Sequence, residues 1–161
     1  METKEYVVYS FDELSDKAKE KARMQFDFLM DSLQAEYRDA LNKFCDMLGF
    51  DVKNWEVSAF GNIDYTLDRL QIHKVFRGKK KKELLKLPQY LTGFWVDDYL
   101  MESFKSEIKI GSTPYDAIDR ALYAFFRAWR DDMEHAISDE NISEFCNANG
   151  IVFFENGDVA P

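Results

Sequence analysis

The sequence predicts an α+β fold: one predominantly helical domain over residues 1–161 with a small antiparallel sheet. Three observations lead there. Apolar residues step by three or four through most of the chain, which is the spacing of a buried helix face. Two short runs on either side of Gly61-Asn62 alternate apolar and polar residues, the period of a half-buried strand. A length of 161 residues with 46% apolar content suits one domain with a sizeable core. Aromatics reach 16%, with 14 Phe among them, enough to fill that core and leave some for a partner.

Taken in order, residues 6–9 read Tyr-Val-Val-Tyr and predict a strand. Phe11 to Leu14 predicts one turn, with Ser10 and Glu13 at capping-box spacing. Ser15 then caps a long helix whose stripe runs Ala18, Ala22, Phe26, Leu29, Leu33, Tyr37, Leu41, Phe44 and Leu48. That stripe outruns a usual globular helix, and Asp31 with Gln34 offers a second start inside it. Gly49 stops it. Trp55, Val57 and Ala59, then Ile63, Tyr65 and Leu67, form the hairpin, with Gly61-Asn62 as its tight turn. Residues 70–87 carry only a weak pattern and a basic run around Gly78. Pro88 opens or interrupts a helix, and Leu91, Trp95, Tyr99, Phe104 and Ile108 continue helical spacing to Gly111. Thr113-Pro114 starts a helix to about residue 137 that buries Ile118, Leu122, Phe125, Phe126, Trp129 and Met133. Ser138 caps a last helix ended by Asn149-Gly150. Residues 151–154 predict a closing strand and Asn156-Gly157 a turn. The sheet is expected to join the N-terminal strand, the central hairpin and the C-terminal strand, with helices packed on one face.

Net charge is −9, and its position is informative. Residues 1–96 balance 16 Lys and Arg with 16 Asp and Glu, so the excess falls after residue 96. Such a field repels nucleic acid and attracts cationic protein surfaces. Cys45 and Cys146 stand among apolar residues and read as buried hydrophobes in a reducing compartment, although sequence leaves a disulfide open. The charged N-terminus has no sustained apolar run, and no segment reaches the length of a membrane span. A cytoplasmic location without membrane attachment is the expectation.

Catalytic chemistry finds little support. Asp131 and Asp132 lie four and three residues before His135, with Glu134 adjacent, and share a helix face with it as metal ligands do; a carboxylate metal site needs further ligands from other helices, and an exposed face is the expectation, with no metal and no cofactor. Neither cysteine has an adjacent histidine, and their neighbours are acidic, which raises rather than lowers a thiol pKa. Nucleophile elbows, Gly-rich phosphate loops and HExxH helices do not occur. Asp97 with Asp98 offers a carboxylate pair for acid–base work, a signal weakened by the abundance of carboxylates. No enzyme is expected.

Two charged groups suggest binding. Lys79, Lys80, Lys81 and Lys82 form a run that can track phosphates, or dock on the acidic part of a second copy as a homodimer. Asp116, Asp119, Asp131, Asp132, Glu134, Asp139, Glu140 and Glu144 lie on two successive helices, where rigidly held carboxylates imitate phosphate spacing and occupy a basic channel. Arg120, Arg127 and Arg130 dilute that field.

The opening carries one resemblance. Tyr9, Phe11, Glu13, Leu14, Ser15, Ala18 and Ala22 match a Y-x-F-x-E-L-S-x-x-A pattern. It is similar to the N-terminus of small phage and prophage proteins, some labelled antitoxin-like. Gly49-Phe50 before the hairpin and the closing residues 154–157 also look similar; the likeness covers mostly the chain ends. It implies a phage or mobile-element source and a non-catalytic protein that binds a host or defence component. The reading is therefore a non-enzymatic accessory protein that binds and inhibits a basic host or defence protein, in the manner of an anti-CRISPR or other counter-defence factor, through the acidic helical surface. The alternative is an antitoxin-like regulatory or nucleic-acid-associated protein using the lysine run.

Overall fold

The computed structural model describes residues 5–161. The chain is a predominantly helical α+β protein, with one two-stranded antiparallel sheet among the described residues. Its packing divides into two compact units, one of Met1–Ser32 with Glu134–Pro161 and one of Leu33–Met133.

The first unit opens with a single 3-10 turn at Phe11–Glu13, where the Glu13 carboxylate accepts the Ser10 N–H and hydroxyl at 2.8 and 2.9 Å. Helix α1, Asp16–Arg23, follows, and the Ser15 hydroxyl accepts the Ala18 N–H. The expected break falls in the seven-residue 3-10 segment Met24–Met30, at Phe26 (φ −114°, ψ 15°), ahead of helix α2, Asp31–Leu48. Helix α7, Asp139–Asn149, is capped by Ser138 and closed by the left-handed Gly150. Phe11, Leu14, Ala18, Ala22, Phe26, Ile142, Cys146 and Phe153 form this unit's core.

The terminal strands do not join the hairpin sheet. Tyr9 and Phe153 make one antiparallel bridge, and Phe153 makes another with Val159. Only residues 151–153 separate the stop of α7 at Gly150 from the turn of Phe154–Gly157, too short a run for a ladder. Gly157 has φ +88°, and a Cβ there would fall 2.2 Å from the Ala18 carbonyl oxygen. Only glycine fits against α1 at this point.

The second unit holds the hairpin, β1 (Val52–Val57) and β2 (Ile63–Leu67), together with α3 (Arg69–Phe76), α4 (Lys81–Leu85), α5 (Val96–Ile110) and most of α2 and of α6 (Pro114–Ala136). The hairpin turn differs from the expected tight Gly61-Asn62 turn. Val57 pairs with Ile63, so five residues connect the strands, and Phe60 rather than Gly61 takes the left-handed conformation. The inner face of the hairpin sets Trp55 and Tyr65 on α6, where the Tyr65 ring stacks on Phe126 at 5.4 Å and Trp55 meets Trp129 at 5.3 Å. Phe125, Phe126 and Trp129 are fully buried or nearly so, each worth about 2 kcal/mol by burial. Residues 70–87 resolve into α3 and α4. Asp68 starts α3 by accepting the Leu70 and Gln71 N–H groups at 3.0 Å. Pro88 opens no helix: the chain runs as an irregular loop from the end of α4 until α5 begins at Val96.

Candidate functional site

Within the expected acidic surface, α6 puts its apolar residues on one side, so its exposed side is Asp116, Arg120, Tyr123, Arg127 and Asp131. That strip is mixed in charge, and α6 presents no acid face. Two of the expected carboxylates hold the fold instead. Asp119 accepts the Tyr65 hydroxyl at 2.8 Å and ties β2 to α6; Asp132 accepts the Tyr37 hydroxyl at 2.5 Å and ties α2 to α6. Burial and these carboxylates push both phenols well above the ordinary tyrosine range. Asp131 pairs with Arg130. In the first unit Asp139 forms a two-bond pair with Arg23 at 2.6 and 2.9 Å, which holds its carboxyl below the usual range. Glu134 lies half-buried on the last turn of α6, and Glu140 and Glu144 lie exposed one turn apart on α7.

The lysine run is partly occupied. Lys79 sits over the Phe76 ring at 5.2 Å, Lys81 donates to the Lys109 carbonyl at 2.5 Å, and the Lys80 N–H reaches Glu83. Lys80, the residue before α4, and Lys82, in its first turn, are exposed. His135 is exposed, and among the described residues no three His, Cys, Asp or Glu side chains gather to hold a metal ion. Both cysteines are free. Burial is the main cause that pushes the thiol of Cys45 up to about 12 and that of Cys146 up to about 11.

A different group of residues is organised around Asp97. Asp97 is fully buried in the first turn of α5. Its Oδ2 accepts the N–H groups of Leu91, Thr92 and Gly93 at 2.8–2.9 Å, and its Oδ1 accepts the Thr92 hydroxyl at 2.7 Å. Burial pushes the Asp97 carboxyl up, but the bonds from the Thr92 hydroxyl and the three amides outweigh it and hold the group below the usual range. Charge-assisted bonds of this kind are the strong ones. They fix the loop of residues 88–95, with Gly93 at φ +87° supplying the bend.

That loop carries three exposed aromatics: Tyr90 at 71%, Phe94 at 48% and Trp95 at 53%. Asp98, on the next residue of α5, accepts the Gln89 side-chain N–H at 3.3 Å and remains exposed, as does Glu102 one turn on. These two acids border an open groove of about 480 Å³ that also includes Glu107 and Arg120. Asp97 and Asp98 are therefore no acid–base pair: one is spent on the loop and the other faces solvent. The expectation of a helix through Leu91 and Trp95 concealed the loop. The sequence signal that would have found it is Thr-Gly followed four residues later by aspartate, a carboxylate within reach of a turn's amides.

No family model, no curated protein and no solved structure matches the chain.

Proposed function

We propose that this protein is a non-enzymatic accessory protein of phage type that binds and inhibits a basic host or defence protein in the cytoplasm. The observation that carries the reading is the buried Asp97, whose carboxylate holds a loop so that Tyr90, Phe94 and Trp95 stay in water. Exposed aromatics on a rigid loop supply large contact area with little entropy left to lose, which is the makeup of binding hot spots. Asp98 and Glu102 beside them suit arginine and lysine side chains, which pair with carboxylates and stack on aromatic faces. The proposed docking surface thus lies on the 88–95 loop and α5, and the mixed outer strip of α6 is at most its rim. The chain's net charge of −9 adds a long-range attraction for a basic partner. Among the described residues no helix is long and apolar enough to cross a membrane.

The test is capture from host lysate with mass spectrometry, run in parallel with a Tyr90→Ala/Trp95→Ala variant and an Asp98→Lys/Glu102→Lys variant. Wild type is expected to retain a basic protein in a salt-sensitive manner and to inhibit its activity. Loss of both aromatics is expected to weaken binding about thirtyfold or more. Equal retention by wild type and both variants would overturn this choice of surface.

A further inference from the structure

Independently of that loop, the second unit carries a cationic groove. It lies between α3 and the start of α6, has a volume of about 420 Å³, and is lined by Arg69, Leu70, His73, Phe76, Arg77 and Tyr115. The volume is in the range of ligand pockets. Arg69, His73 and Arg77 stand four residues apart along and just past α3, so they follow one another on one face about 6 Å apart. Residues 69–86 hold eight Lys and Arg against Glu83 alone. No carboxylate pairs with Arg69 or Arg77 among the described residues. Leu70 is 81% exposed at the edge of the groove.

We propose that this groove binds an acidic peptide segment of a partner protein, with an aliphatic or aromatic side chain seated in the cavity against Leu70. Its carboxylates then meet Arg69 and Arg77. Charge complementarity chooses an anionic occupant, and the rings choose between the two anionic classes. Single-stranded nucleic acid binds by stacking bases on open aromatic faces. Here the Arg69 guanidinium already covers Tyr115 at 4.0 Å, and Lys79 covers Phe76 at 5.2 Å. The exposed Leu70 is left to meet an apolar side chain, and the covered rings offer no platform for bases. An amphipathic acidic helix presents carboxylates about two turns apart, which matches the eight-residue separation of Arg69 and Arg77, and its apolar face enters the groove.

Selection of peptides from a random display library against the full chain tests this. Enriched sequences are expected to combine Asp or Glu with a large apolar residue. Their synthetic versions are expected to bind at least about tenfold more weakly to an Arg69→Glu/Arg77→Glu variant, and to a Leu70→Ser variant. These positions are exposed, and circular dichroism checks that both variants stay folded. Tyr90→Ala/Trp95→Ala is expected to leave peptide binding unchanged, which separates this site from the proposed docking loop. The inference is overturned by any of three results: no acidic enrichment, selected peptides indifferent to the Arg69 and Arg77 reversal, or an oligothymidylate that binds more tightly than the selected peptides and competes with them.

Discussion

Asp97 shows how one side chain changes its meaning between sequence and structure. By sequence it is half of an ordinary acidic pair; folded, it is a buried anion accepting four hydrogen bonds. Asp97→Asn keeps the shape but loses the charge, and Asp97→Ala loses the acceptor as well. The alanine variant is expected to cost about 3 kcal/mol in urea unfolding, the asparagine variant less. The pH dependence has a fixed sign. Unfolded, the group titrates near 3.8, and folded it titrates lower. The native state therefore binds fewer protons in that interval. The stabilisation is complete above the unfolded value and disappears as pH falls through the folded one. Acid unfolding curves of wild type should steepen below about pH 4, and those of Asp97→Asn should be flatter there. The cysteines give a second expectation. With thiols raised to about 12 and about 11, both should resist a thiol reagent at mildly alkaline pH in the native protein and react readily in urea.

At the level of elements, helix boundaries follow local chemistry. Ser15, Thr113 and Ser138 cap where their side chains can reach an exposed N–H, and Gly49, Gly111 and Gly150 stop helices by turning left-handed. Asp68 belongs to the same class, although a basic run masked the short helix that it starts. Asp68→Ala is expected to lower stability by about 1 kcal/mol, seen as a lower melting temperature. Gly157→Ala should be worse, at least about 2 kcal/mol, because backbone strain adds to a clash with the Ala18 carbonyl. Gly150→Ala meets no atom within 4 Å and should show the strain alone, about 1 kcal/mol. The loop of 88–95 is where helical spacing misleads. Its apolar residues happen to keep that spacing, but the Leu91, Thr92 and Gly93 amides bond to the Asp97 carboxylate, four to six residues on, in preference to helix carbonyls.

For the whole molecule, charge follows the packing units. Met1–Ser32 with Glu134–Pro161 carries 5 Lys and Arg against 14 Asp and Glu, the full −9 of the chain. Leu33–Met133 is neutral with 16 of each sign, and its bases concentrate around α3 and α4. Division at residue 96 missed this, because sequence position ignores which segments pack together. A consequence for binding is that Asp116→Lys/Asp131→Lys, on the mixed strip of α6, should change partner affinity by less than about threefold. The aromatic loop variant should change it far more, as competition binding would show. The sequence by itself determined the helical α+β class, the caps, the hairpin and the stripe of α6, because these depend on periodicity and on side chains that reach only a few residues. Tertiary structure alone decided which carboxylates are free. A carboxylate's role depends on what stands opposite it, and Tyr37, Tyr65 and Arg23 reach Asp132, Asp119 and Asp139 from more than fifty residues away in the chain.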